Sequence, residues 1–186
     1  MKRILSLLCL LALLFTGCAG TDSGMDRAMA LRSKLLAQAV ELDAVVTADY
    51  GDKTCTFTMA CSIDKQGKLT FSVQEPESIS GITGTVSSEG GKLTFDDQAL
   101  AFPLLAEGQI TPVSAPWVLF RSLRTGYLTS CGIEGGKVRL AIDDSYADDA
   151  LHLDVWLSED DLPAHGEIIY KGRRIVSVLV SNFRFV

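Results

Sequence analysis

The sequence predicts an α+β fold: a strongly curved antiparallel sheet, a half-barrel of about ten strands, with two helices on the concave side. Three observations carry this. Apolar residues recur every second position through most of the chain, short turn signals rich in Gly, Asp and Lys separate these runs, and two segments, near 25–40 and 115–125, change to a 3.6-residue rhythm. A sheet of that width accumulates twist and curls, which gives it a hollow side, and a helix with one apolar stripe must cover another element. With 186 residues, 47% apolar and 22% charged, the chain has enough apolar surface to fold as one domain.

The first stretch is read apart from the fold. Lys2-Arg3 precedes the apolar run Ile4 to Phe15, whose 12 residues suit a secretory signal and fall short of the roughly 20 that cross a bilayer as a helix. Directly after it, Leu14-Phe15-Thr16-Gly17-Cys18 resembles the bacterial lipobox, with Phe15 where Leu is usual. The expectation is a lipoprotein signal peptide over 1–17, lipidation of Cys18 with diacylglycerol and palmitate, a lipidated tether over 18–24 and a single domain over 25–186. Acyl chains contribute about 0.8 kcal/mol per buried methylene, so two or more give stable attachment to the extracytoplasmic face of a bacterial cell membrane. Loss of Lys2 and Arg3 would make the formal charge of −6 more negative by two. Acid in excess of base excludes nucleic acid as a natural partner, and there is no polybasic stretch for an anionic membrane surface.

The elements then follow in order. Met25 to about Val40 places apolar residues at 28, 31, 35, 36 and 39 among Arg27, Arg32, Lys34 and Gln38, an amphipathic helix. Val45 to Tyr50 turns at Gly51-Asp52 into Thr54 to Ile63, where Cys55, Phe57, Met59, Cys61 and Ile63 share one face. Asp64-Lys65-Gln66-Gly67 leads to Leu69 to Val73, Glu89-Gly90-Gly91 joins Ile82–Val86 to Leu93–Phe95, and a short strand ends at Phe102-Pro103. A second helix is expected from about 115 to 125, with Ser114 as N-cap, Pro116 in the first turn and Gly126 as the stop. Strands resume at Leu128–Ile133, Val138–Ile142, Leu151–Leu157, Glu167–Tyr170 and Arg174–Phe183.

Beyond Cys18, the cysteines of the mature chain are Cys55, Cys61 and Cys131. Cys55 and Cys61 lie on one straight strand about 20 Å apart, too far for a mutual disulfide. A disulfide of Cys131 with Cys55 or Cys61 and three small buried thiols are both consistent with the pattern. No Cys/His spacing suggests zinc. The acidic loops, Asp143-Asp144 with Asp148-Asp149 and Glu159-Asp160-Asp161, lack calcium-loop spacing and read as solvated surface.

Helix, meander, helical insertion and second meander is an order that resembles the LolA/LolB-like periplasmic lipoprotein-carrier and receptor superfamily. The resemblance rests on the N-terminal helix leading into Asp49-Tyr50-Gly51-Asp52, on Pro76 to Ile82 followed by Gly91-Lys92-Leu93-Thr94-Phe95, and on the closing hairpin Glu167 to Val176. It implies a half-barrel cavity that receives acyl chains under a helical lid. On that expectation the walls are Phe57, Met59, Leu69, Phe71, Leu93, Phe95, Phe102, Trp117 and Phe120, enclosing several hundred Å3 that open between helix and sheet; the alternative is that the same residues pack together as core. Spore-former lipoproteins of the same fold imply a second function class, a scaffold that binds a partner protein through a sheet face. Trp156, opposite Leu151, Leu153, Val155 and Leu157 on its strand and beside His152 and Asp154, is the candidate partner contact. His152 and His165 lie in no nucleophile or metal motif, so no enzyme, cofactor or metal is expected.

Overall fold

The computed structural model describes residues 21–96, 98–102, 105–106 and 109–186. The expected signal peptide and Cys18 lie outside the described residues. Helix α1 (Thr21–Ala37) leads into β1 (Val40–Asp49), β2 (Thr54–Ile63), β3 (Leu69–Glu75), β4 (Thr83–Ser87), β5 (Gly90–Phe95) and β6 (Gln98–Phe102). After a small ribbon of β7 (Leu105–Ala106) and β8 (Gln109–Ile110) comes helix α2 (Ala115–Thr125). The second meander is β9 (Tyr127–Glu134), β10 (Lys137–Asp143), β11 (His152–Leu157), β12 (Pro163–Tyr170) and β13 (Arg173–Phe185).

Eleven strands form one antiparallel sheet in the order β6-β5-β4-β3-β2-β1-β13-β12-β11-β10-β9, a curved half-barrel that does not close. Two-residue periodicity fixes its two faces. β1 buries Val40, Leu42, Ala44, Val46 and Ala48, and these stand opposite Ile63, Cys61, Met59, Phe57 and Cys55 of β2. A slip of one residue would turn every one of these side chains outward, so the apolar pattern specifies the register.

The first and last strands of the sheet are neighbours at its centre, since β13 pairs β1 on one side and β12 on the other. Each meander therefore grows outward from the middle, and the connection between them must run from β6 at one end to β9 at the other. α2 lies in that connection, which carries it across the concave face. Its composition suits the place: Ala115 to Phe120, Ser122 and Leu123 are all buried, leaving Arg121 and Thr125 exposed. Leu119 rests where a Cβ on Gly166 of β12 would stand 2.6 Å from its Cδ1, so the glycine admits the helix. Phe120 stacks on Phe183 at 5.9 Å, and Phe185 meets Phe183 edge-on at 5.1 Å.

The helices hold each other by their ends. Arg32 of α1 donates to the carbonyls of Leu123 and Gly126 at 2.8 and 2.9 Å, where α2 has orphan acceptors. Arg124 of α2 returns the arrangement on the Leu35 carbonyl at 2.9 Å and reaches the β2–β3 turn at the Lys65 carbonyl, 2.6 Å away. Trp117 Nε1 donates to the Gly67 carbonyl at 2.9 Å.

Several sequence expectations are corrected here. α1 begins four residues earlier than the expected Met25 and ends at Ala37, which takes the second half of the expected 18–24 tether into the helix. Ser114 holds the N-cap position as expected but does not cap through its side chain: it ends a 3-10 turn, and its hydroxyl donates to the Thr111 carbonyl at 2.7 Å. Gly126 stops α2 without a left-handed conformation, at φ −69°. Close packing explains the glycine, since a Cβ would lie 2.6 Å from Ile142 Cγ2 and 2.7 Å from the Ser122 carbonyl oxygen.

Candidate functional site

The concave face is where the expected ligand residues converge, and the structure packs most of them solidly. Phe57, Met59, Leu69, Phe71, Trp117 and Phe120 are 0–6% exposed and belong to one core with Leu35, Leu119, Leu140, Leu153 and Ile168. Leu93 and Phe102 are partly buried against it. Gly91, opposite Phe102 in register, lets that ring lie flat on the strand: a Cβ there would come within 2.1 Å of the ring. Phe95 departs from the expectation. It is 52% exposed at the end of β5, one strand in from the edge of the sheet.

The expected opening of several hundred Å3 between helix and sheet takes a different form. Two hollows border α2, of about 490 and 280 Å3, and of the nine residues only Trp117 lines them. Their other walls mix charged and polar side chains with apolar ones: Lys68, Ser88 and Arg121 line the larger, and Asp144 and Asp149 stand beside Ile110, Val118 and Leu151 in the smaller. The physical reason is that α2 buries Ala115 to Phe120, Ser122 and Leu123 against the sheet and α1, so it fills the trough itself. A groove of about 880 Å3 runs across β13, β1, β2, β3 and β4; it is lined mostly by outward-facing residues such as Glu41, Ser62, Thr70 and Arg184, and of the nine expected residues Phe71 reaches it.

Trp156 does face away from the core, as the strand pattern predicts, and it is half-buried by its neighbours. It stands in register between Arg139 and His165. His165 stacks on it at 4.9 Å, the Arg139 guanidinium lies 5.5 Å from its ring centre, and its Nε1 donates to Glu134 at 3.2 Å. Beside this row Arg139 grips Asp154 with two hydrogen bonds, 3.1 and 2.7 Å, although Asp154 is only 6% exposed. That bond raises the Arg139 pKa further above its ordinary value. His152 pairs with Asp143 at 2.7 Å. Burial lowers the His165 pKa, Glu167 opposes the shift, and Arg174 and Lys137 add to it. Sequence reading placed Trp156, His152 and Asp154 on this face but missed Arg139, because the pairing depends on the register between β10 and β11.

The described cysteines are free, so of the two arrangements left open by the sequence the disulfide of Cys131 with Cys55 or Cys61 is not formed, and of the three thiols only Cys61 is buried. Cys61 points into the core from β2, where burial raises its pKa, and Cys55 is exposed on the same strand. Cys131 belongs to β9 at the end of the sheet and lies against Gly24 of α1, whose added Cβ would come within 2.9 Å of its sulfur. Among the described residues no cluster of three or more His, Cys, Asp or Glu could hold a metal ion, and no helix is long and apolar enough to cross a membrane.

No protein-family model and no curated protein matches the chain. Solved structures do. A DUF1329 family protein from Desulfovibrio piger aligns at 11% identity over 90% of this chain and 94% of its own, with a TM-score of 0.50. A LolA superfamily protein from Nitrosomonas europaea aligns at 9% identity over 86% and 93%, with a TM-score of 0.47. The lipoprotein LppX from Mycobacterium tuberculosis aligns at 12% identity over 85% and 94%, with a TM-score of 0.40. At 11% identity the likeness to the DUF1329 family protein is one of fold.

Proposed function

We propose that the chain is a membrane-anchored extracytoplasmic bacterial lipoprotein, attached through Cys18 after removal of residues 1–17, whose half-barrel receives a hydrophobic ligand: an acyl chain, a lipid or the acyl groups of another lipoprotein. In this reading it is a binding protein and not an enzyme, with no cofactor, and α2 is the element that gives way. The observation that supports it is a helix buried on nearly every side, inserted across a sheet that stays open, and tied at its ends by polar contacts. Withdrawal of α2 would bare the trough walled by Phe57, Met59, Leu69, Phe71, Leu93 and Phe102. An acyl chain of about 16 carbons contributes on the order of 10 kcal/mol of gross burial. The apolar side chains of α2 contribute a similar order at about 1.5–3 kcal/mol each. Exchange of one for the other is therefore close to balanced.

The test is native mass spectrometry of the full chain extracted from bacterial membranes in a neutral detergent. One noncovalent acyl species per chain, in addition to the covalent lipid on Cys18, is expected. A chain that carries none, and takes up none from added palmitate or phospholipid, overturns the reading. A second reading, a scaffold lipoprotein that docks a protein through the outer sheet face, is favoured by the Trp156 row, where a half-buried aromatic is flanked by Arg139 and His165. Trp156→Ala would then abolish recovery of one stoichiometric partner while leaving acyl content unchanged.

A further inference from the structure

The 490 Å3 hollow at the C-terminal end of α2 has a chemistry of its own. It lies between that helix and the β2–β3 and β4–β5 turns, and it brings together Lys68, Arg121 and Arg124 with the hydroxyls of Ser87 and Ser88 and a single carboxylate, Glu89. Three cations against one acid is the reverse of a chain whose formal charge is −6. The Arg124 donors are taken by neutral backbone carbonyls, so its charge is left uncompensated. Lys68 and Arg121 are exposed, and no ion pair joins either to a carboxylate among the described residues. Arg121 is held over the Trp117 ring, 5.3 Å from its centre, which fixes its stem and leaves guanidinium edges free. The acids Asp144 and Asp149 also border Arg121, but from the separate 280 Å3 hollow. The negative end of α2, which would otherwise repel an anion here, is offset by Arg32 on the carbonyls of Leu123 and Gly126.

We propose that this hollow binds a phosphate-type anion, with Lys68 and Arg121 as its charged donors, the Ser87 and Ser88 hydroxyls as neutral donors and Arg124 as a fixed background charge. A guanidinium matches two phosphate oxygens at once and an ammonium supplies a mobile third contact. The site lies outside the trough but takes Arg121 and Arg124 from α2, so it is complete while that helix is seated and needs no ligand in the trough. The anion can come from a phospholipid headgroup or from a free phosphate.

The experiment is calorimetric titration of the full chain in a neutral detergent with three probes: inorganic phosphate, dihexanoyl phosphatidylglycerol and dihexanoyl phosphatidylcholine. Binding of inorganic phosphate and phosphatidylglycerol alike identifies a general phosphate site, whereas binding of phosphatidylglycerol alone identifies a headgroup site; both support the proposal. In either case the affinity should fall about tenfold or more in Lys68→Gln/Arg121→Gln, as loss of charge-assisted hydrogen bonds requires, and should weaken with added salt. Lys68→Arg/Arg121→Lys should retain binding. Both positions are exposed, and an unchanged melting temperature verifies the fold of each variant. Absence of binding by phosphate and phosphatidylglycerol, or affinity unchanged in the glutamine variant, or phosphatidylcholine bound as tightly as phosphatidylglycerol, overturns it.

Discussion

At Gly166 an added methyl has nowhere to go. The Cβ would stand 2.6 Å from Leu119 Cδ1 and 3.1 Å from Cδ2, and Leu119 is fully buried, so it cannot swing aside. Gly166→Ala should destabilise the protein by about 1–3 kcal/mol in urea unfolding, and Leu119→Val in the same chain should return part of that loss. Ser122 offers the opposite case. Its hydroxyl is buried in α2 without a hydrogen-bonding partner among the described residues. Ser122→Ala should therefore raise stability by about 1 kcal/mol, through removal of the unsatisfied oxygen and a better helix former. A loss of stability on that substitution would show that the hydroxyl is satisfied in solution. His165 carries a pH signature. Its pKa lies below the ordinary 6.5, chiefly because burial disfavours the charged ring. The unfolded chain then binds the proton more readily than the folded one, so the stability due to the neutral ring is complete above the unfolded pKa and is lost as pH falls through it. His165→Gln should flatten the acid side of the stability profile between about pH 7 and pH 5. An unaltered slope would place the proton-linked loss elsewhere.

At the scale of elements, the strands were legible because their period and turns agree with each other. The run Thr54 to Ile63 is β2 to the residue, and the expected helix near 115–125 is α2. Pieces too short to show a period were not legible, and β7 and β8 have two residues each. Nor could the sequence reveal how far α2 intrudes: the apolar residues that could wall a cavity are the same that could pack on a helix, and only the β6-to-β9 crossover decides between them. The reciprocal arginines were equally hidden, since the helical rhythm sets Arg32 among the polar positions of α1 without showing which carbonyls it meets, and no pattern singles out Arg124. Together they make a testable unit. Arg124 joins α1, α2 and the β2–β3 turn through carbonyls of Leu35, Asp64 and Lys65. Loss of charged donors to such carbonyls costs on the order of 1–3 kcal/mol, with exposure favouring the lower end. Arg124→Ala should speed amide exchange at the C-terminal turn of α1 and in residues 64–68, with β10 and β11 unaffected. Lysine at the same position should rescue little, because one ammonium cannot reach three carbonyls in the geometry of a planar fork.

For the whole molecule, the question is which part moves when the trough is filled. The sheet is a poor candidate: β1 and β13 sit at its centre, paired on both sides, and carry core residues such as Val46 and Val178 that are fully buried. α1 is held less firmly, since part of its surface, including Met29 and Leu36, remains in solvent. α2 has the most to exchange, because an acyl chain on the concave face would occupy the volume that Trp117, Leu119 and Phe120 now fill. A ligand that binds the folded chain raises its global stability by mass action, yet the same ligand must release the helix it replaces. The two effects therefore carry opposite signs in one experiment. In hydrogen exchange followed by mass spectrometry, saturation with palmitate should slow exchange in β1 and β2 while it speeds exchange over residues 115–125. The increase should be larger in Arg32→Ala, where the C-terminal carbonyls of α2 have lost their cap, and smaller in Ser122→Ala, where the packed helix has gained stability. Stoichiometric acyl binding with α2 as protected as before would mean that the ligand rests on another surface, and the groove across β13, β1, β2, β3 and β4, where Leu42, Phe71 and Phe183 are reached, would become the place to look.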